Sequence, residues 1–206
     1  MKKEKEVVDK LRYERALQAK GYALIAGVDE VGRGPLAGPV VCAAVVMPLE
    51  EEKIIQGVDD SKKLSAKKRE MLAEKIKQTA LYYTIVEVDE KRIDEINILE
   101  ATKEGMQKAL LGLESAPDFV LTDGNMTLDI PFKQTSIVSG DALSYSIGAA
   151  SILAKVYRDN LMDEYAKTYP VYAFEKNKGY GTAVHIAAIK EFGLCPIHRR
   201  TFTKKF

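Results

Sequence analysis

The stretch that decides the fold is ALIAGVDEVGRGPLAGPVVCAAVVM, residues 23–47. Its two short apolar runs, 23–28 and 39–47, are bounded by glycine or proline and predict a pair of buried strands joined by a glycine-rich loop. Asp29 and Glu30 stand where the first run meets that loop. Charges at such a point are solvated or bound, and a hard divalent cation takes oxygen ligands that a rigid strand end presents well. Taken alone, the pair reads as an acidic turn after a strand.

The same loop matches the dinucleotide fingerprint G-x-G-x-x-A at Gly32, Gly34 and Ala37. That motif requires a helix to begin in the loop, with its N-terminus facing a pyrophosphate. Here Pro35 and Gly38-Pro39 lead into a second apolar strand, so a nicotinamide or flavin enzyme is disfavoured. The glycines instead suit either a tight turn or a close approach of backbone amides to a sugar or phosphate.

Farther along, Ser65 caps a helix expected to reach about Gln78, and 81–88 alternates as a strand. A helix over 96–113 precedes a strand at 119–122, an Asp123-Gly124-Asn125 turn and a short strand near 130–134. One long helix is expected from Asp141 to Pro170, and a last one spans 183–192, between Thr182 as cap and Gly193 as stop. This order predicts an α/β domain with a central mixed β-sheet flanked by helices and a helical C-terminal region. Residues 1–22 read as a charged helical segment ahead of a single domain, 23–206.

Two cysteines without a C-x-x-C pair speak against zinc or redox chemistry and for a reducing, cytoplasmic setting. No run is long enough to cross a membrane, and the N-terminus lacks the apolar core of a signal peptide. The net charge of +1 hides an asymmetry: residues 176–206 carry seven Lys or Arg against one acid, and residues 1–22 seven against four. The middle is therefore acidic. Such a split suits a surface that grips a polyanion, and equally a solvated helix and tail.

Two more carboxylates complete the acidic middle. Asp123 ends the strand FVLT before a glycine, which is also a strong hairpin signal, and Asp141 sits where an N-cap would stand. Each acid taken singly is a structural residue. Together, Asp29, Glu30, Asp123 and Asp141 all fall at element ends, where a sheet edge can gather them around two Mg²⁺ or Mn²⁺ ions, the usual apparatus of phosphodiester cleavage. No G-x-S-x-G elbow, H-E-x-x-H or G-x-x-x-x-G-K-[ST] loop competes with them.

The blocks GVDEVGRGPLAGPVV, DDSKKLS, INILEATKEGM, LTDGN, GDALSYSIGAASILAKVYRD and NKGYGT with PIHRRTF resemble bacterial ribonuclease HII, in order, over nearly the whole chain. The resemblance implies an RNase H-like fold and a place in ribonucleotide excision repair. It implies cleavage of RNA/DNA hybrids, and of DNA duplexes containing ribonucleotides, to 3′-hydroxyl and 5′-phosphate ends. It assigns the metal to Asp29, Glu30, Asp123 and Asp141, recognition of the 2′-hydroxyl to the backbone of Gly32, Arg33 and Gly34, and sensing of the RNA–DNA junction to Tyr180. Val31 replaces an alanine common after the acid pair, a mild change.

Weaker candidates follow from charge. Lys62 and Lys63 suit phosphate contacts, as do Lys155 and Arg158 on the long helix, although Lys155 and Asp159 also suit an ion pair. Lys176 and Lys178 interleave with Tyr180 beside glycines, the mix a nucleic-acid groove uses. By residue type alone, Tyr172, Phe174 and Tyr180 read first as core, while His198, Arg199 and Arg200 suit either a buttress or a phosphate contact. A monomer is expected. Rival readings are the sister type 3 ribonuclease H, which usually carries a large N-terminal substrate-binding domain, and a non-catalytic nucleic-acid-binding module.

Overall fold

Strand β1 (Ile25–Val31) pairs antiparallel with β2 (Val40–Val46), Ala26 lying opposite Val46 and Val31 opposite Val41. The computed structural model, which describes residues 8–206, places β3 (Tyr82–Val88) antiparallel on the far side of β2. On the other side of β1 run β4 (Phe119–Asp123) and β5 (Lys133–Ile137), both parallel to their neighbours, which gives the order β3-β2-β1-β4-β5. The mixed sheet matches the expectation. Every residue of β2 is buried, because helices cover both faces, and this explains a run apolar throughout rather than alternating.

Helix α2 (Ala66–Thr79) starts at Ser65, whose side chain accepts from the Lys68 amide. It packs with α5 (Tyr145–Thr168) on the sheet face that carries Val41, Ala43 and Val45, and α3 (Glu90–Leu111) covers the face that carries Cys42, Ala44 and Val46. Contact between β1 and α5 is backbone to backbone: a Cβ on Gly27 would stand 2.2 Å from the Ser146 carbonyl carbon. Only glycine fits there. The short helices α1 (Arg12–Gln18) and α4 (Gly140–Leu143) flank the start of α5. Helices α6 (Phe174–Asn177), α7 (Ala183–Phe192) and α8 (Arg200–Thr203) follow it, and Tyr172, Phe174, Ile189 and Ile197 form a separate apolar cluster with Leu36 and Met162. Among the described residues no helix is long and apolar enough to cross a membrane.

Four local expectations need correction. Asp123-Gly124 is not a hairpin turn, since β4 and β5 are parallel and the connection between them buries Met126 and Leu128. Strand β5 begins at Lys133 rather than near Ile130; Pro131 has no amide to give a ladder, and Ile130 and Phe132 pack into the α3-side cluster. Helix α3 begins at Glu90, capped by Asp89, and breaks at Asn97 (φ 69°), whose side-chain oxygen accepts from Leu99 and Glu100 and caps the second half. The long helix expected from Asp141 is two helices, because Ser144 is extended (φ −122°, ψ 132°) and its hydroxyl caps α5 by accepting from Ile147. Of the charged segment expected at 1–22, Arg12–Gln18 is helical, and residues 1–7 lie outside the described residues.

The C-terminal cluster contains a directional chain of hydrogen bonds. The Cys195 amide donates to His198 Nδ1 at 2.9 Å, so the proton of neutral His198 sits on Nε2 and points at His185 Nε2, 3.0 Å away. His185 then donates from Nδ1 to the Tyr180 carbonyl at 2.9 Å. Burial depresses both imidazoles, and His185 adds to the effect on His198, which falls to about 4. A depressed base stabilises the fold above its unfolded pKa, about 6.5, and that contribution is lost as pH falls through the folded value. Urea unfolding of the wild type should therefore weaken more steeply between pH 6.5 and 4 than unfolding of His198→Gln, by up to about one proton in slope. Parallel slopes for the two proteins would refute the neutral pair.

Candidate active site

The parallel pairing of β1 with β4 sets Val28 opposite Thr122, so Asp29 and Asp123 come side by side where β4 ends, while β1 runs on beside β2 through Glu30 to Val31, past the expected strand end at Val28. Asp29 continues the face of Gly27 toward α5, and Glu30 continues the face of Val28. Asp141 arrives from α4: Asp123 Oδ1 accepts from the Gly140 amide at 2.6 Å and from the Asp141 amide at 3.4 Å. Those bonds tether α4 to the end of β4 through one acid of the set. Asp29 Oδ1 accepts from the Glu30 amide at 2.7 Å, and Glu30 lies 3.5 Å from the Arg33 guanidinium.

These carboxylates feel one another. Burial first, then Glu30 and Asp123, raise Asp29 well above the ordinary carboxylate range. Burial raises Glu30 to about 7, Arg33 opposing and Asp123 reinforcing, and Asp141 is raised by burial, Asp123 and Asp60. The Lys62 ammonium stands 3.9 Å from Asp141. Although desolvation works against it, Asp141, Asp60, Asp29 and Asp123 together raise that lysine. The four acids found in the sequence thus converge on one locus. Among the described residues no three His, Cys, Asp or Glu side chains form a ready-made metal cage; Asp29, Glu30 and Asp123 each face a donor from their own surroundings.

The loop after β1 is held from beneath by two buried arginines. Arg199 donates to the carbonyls of Gly32 (2.6 Å), Arg33 (2.9 Å) and Gly38 (2.7 Å), and Arg158 to those of Ala37 (3.1 Å), Pro39 (3.0 Å) and Lys178 (2.9 Å). Burial lowers both, Arg158 to about 10 and Arg199 to about 9, which leaves them cationic at neutral pH. Gly32 has φ +91°, and a Cβ there would strike the Arg158 side chain, so the glycine serves both conformation and contact. The loop's carbonyls therefore point inward to the arginines. Tyr180 is 43% exposed, and its Cε1 lies 3.7 Å from where a Gly34 Cβ would stand, so its ring borders the loop.

The remaining candidates divide. Tyr172 and Phe174 are core, as their type suggests, and Tyr180 is not. Lys62, Lys63 and Lys176 are exposed, with Lys63 near Asp59 at 3.7 Å. Arg158 is fully buried and cannot reach a phosphate; its guanidinium is consumed by backbone carbonyls. Lys155 pairs with Asp159 at 2.6 Å, and Lys178 pairs with Asp163 and donates to the Asp159 carbonyl, so both charges are spent internally. Of the C-terminal trio, Arg199 buttresses the loop, while the Arg200 amide donates to Asp94. Sequence reasoning left Arg199 undecided, because in the basic tail PIHRRTFTKK nothing sets this arginine apart from its charged neighbours.

A family model described as Ribonuclease HII matches residues 26–205. Ribonuclease HII of Ruminiclostridium cellulolyticum is 56% identical over 196 residues, covering 95% of this chain and 76% of that one. The crystal structure of ribonuclease H2 from Pyrococcus horikoshii OT3 superposes with a TM-score of 0.76 at 30% identity, covering 89% of this chain and 96% of that one. The structure of Bst-RNase HIII in complex with Mn²⁺ shares the fold (TM-score 0.70, covering 84% of this chain and 63% of that one), but only 19% identity, which sets the type 3 class farther away. The non-catalytic reading and the dinucleotide reading both fall with these findings: the chain belongs to the ribonuclease HII family and is a metal-dependent endonuclease of the ribonuclease H type.

Proposed function

We propose that the chain, acting as a cytoplasmic monomer, cuts the RNA strand of RNA/DNA hybrids and cuts duplex DNA at embedded ribonucleotides, leaving 3′-hydroxyl and 5′-phosphate ends. Asp29, Glu30, Asp123 and Asp141 hold two Mg²⁺ or Mn²⁺ ions. The observation that carries this reading is the convergence of four acids from three separate segments, beside a loop whose carbonyls are turned inward by Arg199. The donor set fits a hard cation: all four donors are carboxylates, and burial together with mutual repulsion raises Asp29 and Asp141, a cost that bound positive charge relieves. Two such ions supply an activated water and stabilise the leaving oxygen.

The chain's own residues do the rest. With the Gly32 and Arg33 carbonyls occupied, the 32–34 loop offers amides to a ribose 2′-hydroxyl, the group that separates RNA from DNA. Lys62, beside Asp141, offsets acid charge and faces a phosphate, while Lys63 and Lys176 add exposed charge along the duplex. Tyr180, bordering Gly34, stacks on the sugar that follows the ribonucleotide. The direct test is a labelled DNA duplex with one ribonucleotide, mapped at nucleotide resolution with Mg²⁺, Mn²⁺ and EDTA; an uncut duplex with either metal refutes the proposal.

Three outcomes are expected from substitution. Asp29→Asn and Asp123→Asn keep shape and remove charge, so cleavage should vanish while duplex binding stays within a few-fold; lost binding with retained turnover would unseat the assigned roles. Tyr180→Ala should lose about 1–3 kcal/mol of transition-state interaction on a single embedded ribonucleotide, with little change in melting temperature, and Tyr180→Phe should lose less. An equal loss on every substrate that tracks stability would make Tyr180 a packing residue instead. Arg199→Lys leaves buried loop carbonyls without donors, each worth about 1–3 kcal/mol. Cleavage per folded molecule should drop at least about tenfold, with weakened preference for RNA over DNA, and an unchanged preference would reduce Arg199 to a stabiliser.

A further inference from the structure

Four carboxylates are gathered at the site, but Asp141 stands on a helix of only four residues, too short to be stable by itself. Asp123 holds one side of that helix through its amides, and the N-terminal arm fastens the other side and the break that follows. The Lys10 ammonium forms an ion pair with Asp59 and also donates to the Ala142 carbonyl at 3.1 Å, so one side chain ties the 59–63 loop to α4. The Lys10 carbonyl accepts from the Tyr145 amide at 2.8 Å, on the far side of the Ser144 break. One turn on, Glu14 Oε1 accepts from the Ser144 hydroxyl at 2.6 Å and from the Ser146 amide at 2.9 Å. The break that separates α4 from α5 is thus fastened from Lys10 and from Glu14 of α1 at three successive residues, Ser144, Tyr145 and Ser146.

The geometry points to residues 10–14 as positioning residues that set Asp141 and the Lys62 loop relative to the other three acids, and so govern how the cluster takes up divalent cations. The inference rests on the metal-holding role given above to those acids. Lys10 touches none of the four carboxylates and acts through the Ala142 carbonyl and through Asp59. Asp59 is followed directly by Asp60, whose side chain caps the turn that carries Lys62 by accepting from its amide at 2.9 Å. Removing the ammonium frees both elements at once, whereas losing an ordinary surface pair frees neither.

Lys10→Met keeps the alkyl stem and removes the charge, Lys10→Arg keeps the charge, and Lys53→Met breaks the exposed Lys53–Glu50 pair as a control. Each protein is titrated with Mn²⁺ alone by calorimetry, melted, and assayed for cleavage across Mg²⁺ concentrations. Lys10→Met should weaken Mn²⁺ binding on the order of tenfold and raise the half-saturating Mg²⁺ in proportion. KM for the duplex at saturating metal should stay within about twofold. Lys10→Arg should recover most of the affinity, and Lys53→Met should behave as wild type. If Lys10→Met binds Mn²⁺ as the wild type does, whatever its melting temperature, the positioning role is overturned while the function stands. A wild type that neither binds Mn²⁺ nor cuts overturns both.

Discussion

The grip of Arg199 and Arg158 on the backbone between Gly32 and Pro39 is the interaction on which the rest of the site depends. A buried guanidinium without a carboxylate is expensive unless its N–H groups are satisfied, and here six carbonyl acceptors share the two side chains. The arrangement joins parts far apart in the chain: a loop after β1, the middle of α5 and the tail before α8. It also decides which polar groups the loop shows to the outside. Carbonyls committed inward leave amides as the outward-facing polarity, which matches a partner that offers hydroxyl and phosphate oxygens.

The acids gather around β1 and β4, and the arginines hold the loop that follows β1. Burial raises Asp29, Glu30 and Asp141, and repulsion from neighbouring carboxylates adds to it. Nearby positive charge lowers that repulsion only in part. Arg33 and Lys62 are the cations that face the acids, and both stay largely solvated, with side chains 45% and 81% exposed. A fold that tolerates this tension keeps its acids at a sheet edge, where strand ends are rigid and water is near.

The sequence was most legible where a pattern had a local cause. The apolar runs of β1 and β2 follow from burial on both faces, and Ser65, Thr182 and Pro170 mark helix ends by their own side chains or ring. Where it misled, a tertiary partner had overridden a local signal. Asp123-Gly124 carries good hairpin chemistry, yet β5 arrives parallel because Met126 and Leu128 take the connection into the core. Arg158 looks like a surface cation beside Lys155, but the two side chains meet different neighbours, and two of the three carbonyls that absorb Arg158, those of Ala37 and Pro39, lie 121 and 119 residues earlier. The four acids were legible together because each stands at or near the end of an apolar run or the start of a helix, although β1 runs on through Asp29 and Glu30 to Val31; Arg199 was not, since nothing near it in the chain reveals the loop it supports.

The break at Ser144 is the least legible feature and the one with the widest reach. In GDALSYSIGAAS the composition permits a helix throughout, and an unbroken helix would have carried Asp141 along the axis of α5. Ser144 turns extended, caps α5 with its own hydroxyl and gives that hydroxyl's proton to Glu14, so a single side chain ends one helix, begins another and accepts support from a third. The extended residue resets the direction of the chain, and α4 swings over the end of β4, where Asp123 receives its amides. A four-residue helix has too few internal bonds to hold that position by itself, so its place is set by its neighbours: Asp123 on one side and the N-terminal arm on the other. The fourth acid of the cluster is thus placed by tertiary contacts, whereas Asp29, Glu30 and Asp123 are placed by the register of a sheet.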